Sequence, residues 1–501
     1  MFSNILIYFV VIPMVMLGLI ALCRDIKQIR AVAVAGSTAL IGLSVYLLTE
    51  YLGIRAAGNT EPMLFVDSWQ WFAPLHINLA VGVDGISIAM ILLSSIIVFA
   101  GSFASWKIAQ PKAFFLWLIL LSTGVFGFFI SIDLFTMFMF YEVALIPMYL
   151  LIGLWGTGRK EYSAMKLTLM LMGGSAFLML GLIGIYNHSA PEGQPLTWNI
   201  LEICKNDAIS TGWQSFLFPM TFVGFGVLGA MFPFHTWSPD GHASAPTAVS
   251  MLHAGVLMKL GGYGCFRVAI YLMPWAANEL GWIFLVLTGI SVVYGAFSAC
   301  VQTDLKYINA YSSVSHCGMV LFAILMLNTT AMTGAIMQML SHGLMTALFF
   351  ALIGMIYGRT HTRDIRLMGG LMRIMPFLGV SYVIAGMASL GLPGLSGFVA
   401  EMTIFVGSFQ HADTFHRVFT ILACSSIVIT AVYILRVVGK LLFGPVQDKH
   451  HLELTDATWW ERTSAVTLIV CVAAIGCFPN FFTDLIKFTF SEDIFRVIGL
   501  N

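Results

Sequence analysis

Apolar runs of about 20 residues recur along the whole chain, each long enough to cross the ~30 Å hydrocarbon core of a bilayer as one helix. They fall near residues 3–23, 30–51, 84–104, 112–130, 132–155, 164–187, 214–232, 246–273, 280–300, 307–328, 332–357, 374–410, 416–442 and 462–483. The pattern predicts an all-α polytopic membrane protein of about fourteen transmembrane helices, forming a single transmembrane domain over 1–501. Two longer polar segments, 52–83 and 188–213, read as extramembrane loops. The first run can serve as the first spanning helix, so no cleavable leader is required.

The seventh and twelfth runs look interrupted. Around 228–246 the chain reads LGAMFPFHTWSPDGHASAP, with Pro233, Pro239 and Pro246; around 388–401 it reads ASLGLPGLSGFVAE, with Gly391, Pro393, Gly394 and Gly397. Broken backbone at membrane depth is tolerated where it is buried in protein or lines a wet cavity, and transporters place ion sites there. Two readings stay open for each: a broken helix, or a loop between two short hairpin helices.

A faint repeat accompanies the breaks. Asp133-Leu134 opens the fifth run and Asp304-Leu305 the tenth, with Glu142 and Ser313 nine residues after each Asp. Five runs separate these two, as five separate the broken ones. An odd offset reverses orientation, so the pattern suggests two inverted five-helix repeats, about 112–273 and 280–442, flanked by 1–104 and 462–483.

Lys and Arg alternate between the two sets of loops. Seventeen fall in one set, around 24–30, 107–112, 159–166, 306, 359–373, 436–449 and 462, against five in the other, Arg55, Lys205, Arg417, Lys487 and Arg496. The remaining two, Lys259 and Arg267, lie inside a run. By the positive-inside rule the rich loops are cytoplasmic, which puts both termini on the outer side. Composition fits: 59% of residues are hydrophobic and 10% charged, against about 25% charged in globular domains. A formal net charge of zero argues against a nucleic-acid partner. The eight Cys are scattered without a CxxC pair and read as small core residues, with no disulfide framework or metal site.

Against this background, ionisable residues inside apolar runs stand out: Glu142, His235, His253, Lys259, Arg267, His316, His342 and Glu401. An ionised carboxylate at the bilayer centre costs about 2.5–3.5 kcal/mol on insertion scales, so it persists when it faces protein, water or a partner charge. Glu142, five residues before Pro147, is either a carboxylate hydrogen-bonded for helix packing or a proton-titrating site. Glu401 follows the second break, where freed backbone and water can solvate it. Lys259 lies in MLHAGVLMKLGGYG with apolar sequence on both sides, and Lys is the amine whose charge state burial alters most readily. His316 and His342 titrate nearest physiological pH; each reads as a relay or as a satisfied packing residue. Acids, bases and histidines spread over several runs, two of them broken, read as a lateral proton path.

FYEVALIPMYLLIGLWG, PFHTWSPDGHASAPTAVSMLHAGVLMKLGGYG, AYSSVSHCGM, QMLSHGLMTALFF and the HTRDIRLMGGL loop resemble the antiporter-like proton-pumping subunits of respiratory complex I, with the subunit-4 type nearest. The resemblance covers about residues 80–445. It implies fourteen helices in two inverted five-helix repeats, and a membrane-arm subunit that moves protons while NADH oxidation and quinone reduction proceed elsewhere. Flavin, iron–sulfur clusters and quinone would lie on partner subunits, so this chain would hold no cofactor and no metal. Its neighbours would be other membrane-arm subunits, chiefly two further antiporter-like ones, in the bacterial inner membrane. By the same resemblance Glu142 matches a glutamate ion-paired with a lysine, Lys259 the central lysine, and Glu401 the glutamate at proton exit. His316 and His342 fall on relay positions, and Lys306 and Asp133 on charged positions near helix ends.

One departure is clear. The family usually has a lysine on the seventh helix where this chain has Leu228, and no Lys lies between Lys205 and Lys259. His235 and His253 bracket the broken seventh run and, with Lys259, are the bases nearest the missing lysine. The related cation/proton antiporters and membrane-bound hydrogenase subunits share the Glu/Lys logic and form the alternative reading. A structural scaffold that no longer pumps is a third.

Overall fold

The computed structural model describes residues 4–487. Helices α1 (Tyr8–Leu22) and α2 (Ile26–Ala56) pack against α4 (Pro111–Ile130), with α3 (Gly85–Ala104), α5 (Leu134–Trp155) and α6 (Lys160–Asn187) completing the first half. A short α7 (Ile200–Asn206) sits in the 188–213 segment. Beyond it come α8 (Thr211–Leu228), α9 (Trp237–Ser244), a helix over 247–270, α12 (Pro274–Val301), α13 (Leu305–Ile324) and α14 (Thr329–Thr360). The last segments are α15 (Leu371–Ile374), α16 (Pro376–Ser389), α17 (Ser396–Phe409), α18 (Thr414–Leu442), α19 (Trp459–Cys477) and α20 (Pro479–Lys487).

Among the described residues, ten helical segments qualify as spans by length and hydropathy. The other four expected crossings coincide with interrupted or more polar helices: α8 with α9, the 247–270 helix, α13, and α16 with α17. In α13 the polarity comes from inward-facing Asn309, Ser312, Ser313, Ser315 and His316, all buried.

Both interruptions are real, and their freed backbone groups find partners. After α8 the chain turns through Ala230 in the left-handed region (φ +54°). There the Trp237 indole donates to the Val227 carbonyl (3.0 Å) and the Phe232 amide donates to the Ser291 hydroxyl (2.7 Å). Between α16 and α17, Gly391 takes φ +75°, where a side chain is disfavoured, and Leu392 N–H closes on the Met387 carbonyl (3.0 Å). The 247–270 helix is itself uneven. α10 (Thr247–Leu252) and α11 (Met258–Gly264) are each followed by a π-helical stretch, His253–Leu257 and Cys265–Ile270. Such bulges gather at functional positions, and Lys259 lies in the first turn of the α-helix between them.

The repeat has a backbone counterpart. Asp133 caps α5 by accepting from Phe135 and Thr136 N–H, and Asp304 caps α13 by accepting from Lys306 and Tyr307 N–H. Each sits in an isolated antiparallel bridge, Asp133 with Asn199 and Asp304 with Asp364. Leu134 N–H donates to Trp198 O and Leu305 N–H to Arg363 O, both at 2.9 Å.

Three expectations need correction. The chain is not wholly α: residues 64–83 form an antiparallel hairpin of β1 (Leu64–Phe72) and β2 (Ile77–Val83), within the segment read as a loop. Its alternation of V-D-S-W-Q-W permits a strand with one wet face. The 188–213 segment also contains a helix. Finally, several cations assigned to loops lie within helices. Arg436 on α18 donates to the carbonyls of Cys300 and Gln302 at the end of α12, and Lys306 on α13 is buried; long cationic side chains satisfy helix-end carbonyls that have no partner of their own. Arg496, counted for orientation, lies outside the described residues.

Candidate functional site

A line of polar side chains runs through the apolar core between the two broken helices. At its centre is Lys259, 1% exposed, whose ammonium donates to the Ala254 carbonyl (2.5 Å) and to Nδ1 of His342 on α14 (2.6 Å). Ala254 lies in the first π-stretch, five residues before Lys259, where wider winding leaves a carbonyl free to accept. The His342 ring lies 5.3 Å from that of His316 on α13, centroid to centroid. Nδ1 of His316 is 3.0 Å from the Gln338 amide and 3.4 Å from a carboxylate oxygen of Glu401 on α17. The sequence is thus an amine, two imidazoles and a carboxylate, contributed by four helices.

Small residues make this convergence possible. An added Cβ at Gly261 would lie 2.4 Å from Gly229 N, so the Lys259 helix touches the backbone of the first break. A Cβ at Gly391 would lie 3.2 Å from the Glu401 carboxylate, which therefore nests against the second break. A cavity of about 10 Å³ beside Lys259 is lined by Gly229, Gly262 and Cys317, close to the volume one water occupies.

On the other side of Lys259 the line continues through a residue that sequence reasoning missed. His242 on α9 is fully buried, 4.2 Å from the ring of His253 and 3.4 Å (Nε2) from the Met258 sulfur. Its place in SPDGHASAP, between two prolines of the break, was the available clue. His253 also stacks on Trp237 at 5.2 Å. Ser250 donates to the His242 carbonyl (3.1 Å) and more weakly to Ala245 O (3.3 Å). The buried Lys306 ammonium donates to that same Ala245 oxygen (2.5 Å). From Lys306 a cavity of about 250 Å³ opens past Thr157, Lys107 and Tyr357.

Not every predicted residue joins this line. Glu142 is half-buried on α5 beside Ser175 and Tyr141, and makes no ion pair among the described residues. Neighbouring Ile146 and Tyr149 are exposed, so this face of α5 lies at the edge of the bundle. Asp133 is buried at the start of α5, accepting also from Asn78 N–H of β2 (3.2 Å), and its visible work is capping. His235 packs against the Phe232 and Tyr294 rings, away from Lys259. Leu228 is fully buried and immediately precedes Gly229, which lines the cavity beside Lys259. Arg267, without a role from sequence, is ion-paired with Asp84 at the start of α3, both nearly fully buried.

Fold and site define a polytopic helical membrane protein with an ordered line of titratable groups between two broken helices. The chain belongs to the NADH:quinone oxidoreductase/Mrp antiporter transmembrane family, whose model matches residues 131–430. NADH-quinone oxidoreductase subunit M of Rickettsia bellii is 34% identical over 459 residues, covering 91% of this chain and 90% of that protein. NAD(P)H-quinone oxidoreductase chain 4-2 of Synechocystis sp. is 35% identical over 425 residues, 84% of this chain and 74% of that protein. The fold matches a chain of respiratory complex I from Thermus thermophilus with bound NADH at a TM-score of 0.87 and 24% identity, covering 99% of this chain and all of that one.

Proposed function

We propose that this chain is the antiporter-like, proton-translocating membrane-arm subunit of an NADH-quinone oxidoreductase, of the subunit M or chain 4 type. Protons enter past Lys306, move by way of His242, His253 and Lys259, and leave through His342, His316 and Glu401. The observation that carries this reading is the spacing of Lys259, His342, His316 and Glu401, each within hydrogen-bond or one-water reach of the next. Several imidazole nitrogens along the line, on His242, His253, His316 and His342, have no protein hydrogen-bond partner among the described residues. A buried unpaired polar atom costs about 1–3 kcal/mol, so water completing these bonds would supply the missing carriers.

Asp133 shapes the start of α5, and His235 borders the first break without carrying protons itself. Glu142, half-buried at the bundle edge, is the site through which a neighbouring membrane-arm subunit, chiefly another antiporter-like one, senses or sets the charge state of this chain. Flavin, iron–sulfur and quinone chemistry belongs to partner subunits. The fourteen crossings lie in a bacterial inner membrane with both termini outside; single cysteines placed in 188–213 should react with an impermeant reagent from the outer side alone.

A full-length tagged chain tests the assignment. It should co-purify with flavin- and iron–sulfur-bearing subunits that oxidise NADH and reduce quinone. Recovery with antiporter subunits and no electron carrier would favour the alternative reading, a cation/proton antiporter, which the family description and Leu228 keep in view.

A further inference from the structure

Outside the polar line, one cluster of side chains has the makings of a ligand set. The turn between α17 and α18 and the first turn of α18 carry His411, Asp413 and His416, whose nitrogen and carboxylate ligand atoms all lie within 4.8 Å of one another. We propose that His411, Asp413 and His416 bind a single divalent transition-metal ion of the zinc class at the rim between α17 and α18.

The simpler account is a helix cap. Asp413 does cap α18, accepting from the His416 N–H (3.0 Å) and its imidazole Nδ1 (2.7 Å). That account leaves His411 unexplained. Its ring stacks on His416 at 4.3 Å and 15°, and its Nε2 faces the Met326 carbonyl at 2.6 Å, from a segment 85 residues away. The Asn328 amide lies 3.3 Å from the same nitrogen but donates better to Gly407 O at 3.0 Å, so Nε2 carries the proton and donates to Met326. Nδ1 is then a bare lone pair, 3.9 Å from the other Asp413 oxygen. A ring nitrogen held by a backbone carbonyl, with the opposite nitrogen free, is the arrangement metal-bound histidines adopt.

The chemistry of the set agrees. Two imidazoles and one carboxylate suit zinc-class ions over calcium or magnesium, which favour oxygen ligands. Ligand atoms about 2.0–2.2 Å from a tetrahedral ion stand ~3.3 Å apart, so binding requires the His416 Nδ1 proton to leave and the two stacked rings to turn until their lone pairs meet at one point. Binding requires neutral imidazole and ionised carboxylate. Asp413 is half exposed, leaving a fourth position to water. Arg417 donates from Nε to the His411 carbonyl (2.9 Å), so its charge is drawn to the backbone beside the site. An ion here would tie the end of the Glu401-bearing helix to the start of α18 and, through His411, to Met326.

The full-length chain, stripped with a chelator and titrated with Co²⁺ and then Zn²⁺, tests this directly. One equivalent of Co²⁺ should give a visible tetrahedral spectrum that Zn²⁺ abolishes. Asp413→Asn keeps a good capping residue, so its fold should survive while affinity at this site falls by more than about tenfold, the effect even an outer-sphere partner carries. His416→Gln should remove the spectrum. Because the other histidines and cysteines bind metal equally in all variants, identical titrations for wild type and both variants would overturn the proposal.

Discussion

The Lys259 ammonium donates a 2.6 Å hydrogen bond to Nδ1 of His342, joining two buried groups that are 83 positions apart in sequence. A proton can pass along that bond without either partner leaving the core. Arginine would preserve the positive charge but holds its proton at any physiological pH. Lys259→Arg should therefore assemble normally and lose proton pumping by more than about tenfold, a modest part of what relay acids and bases contribute. Dye-quenching assays in reconstituted vesicles read this out; pumping retained by Arg would mean that the charge, and not its exchangeable proton, is what matters.

The Asp84–Arg267 pair should behave in the opposite way. Breaking a buried ion pair by removing one partner costs about 3–5 kcal/mol, and the Arg267 guanidinium otherwise faces the rings of Tyr263 and Phe266. Asp84→Ala should sharply reduce the amount of chain found in membranes, while any protein that does assemble pumps at a normal rate per complex. Immunoblot quantification alongside per-complex activity separates the two effects.

Gly391→Ala tests the second break. A non-glycine residue at φ +75° costs about 1–2 kcal/mol, and the new methyl would press on the Glu401 carboxylate. Pumping should fall severalfold with a small loss in thermal stability. A variant that unfolds without passing through a folded, poorly pumping state would assign Gly391 to stability alone.

How this chain works without a lysine at 228 is testable from both sides. We expect His253→Ala to impair pumping nearly as much as Lys259→Ala, because His253 and His242 stand between Lys259 and the Lys306 mouth. Leu228→Lys restores an amine one residue before Gly229, which lines the Lys259 cavity, and should partly rescue His253→Ala. Full pumping by His253→Ala would leave Lys259 to act alone.

Much of this architecture was legible in the sequence because a bilayer demands it. Runs of 20 apolar residues, paired Pro/Gly breaks and buried charges each carry a large energetic penalty unless they have one structural purpose. Lys259, His316, His342 and Glu401 could be picked out for that reason, and they do come together. Their order could not, since it depends on close backbone approaches at Gly261 and Gly391 and on π-stretches that periodicity does not reveal. His242 lies hidden among prolines, and nothing in the sequence marks Asp84 as the partner of Arg267, 183 positions away. Glu142 stood out as a carboxylate inside an apolar run, yet its position at the bundle edge depends on how α5 turns its face, which a uniformly apolar helix leaves unmarked.

The central claim is that protons leave this chain through Glu401. The most direct measurement is the proton-to-electron ratio of the intact complex carrying Glu401→Gln, which keeps the side chain's shape and removes its charge change. The account predicts normal assembly with coupled turnover and proton output reduced severalfold. Normal NADH oxidation accompanied by an unchanged proton-to-electron ratio would contradict it.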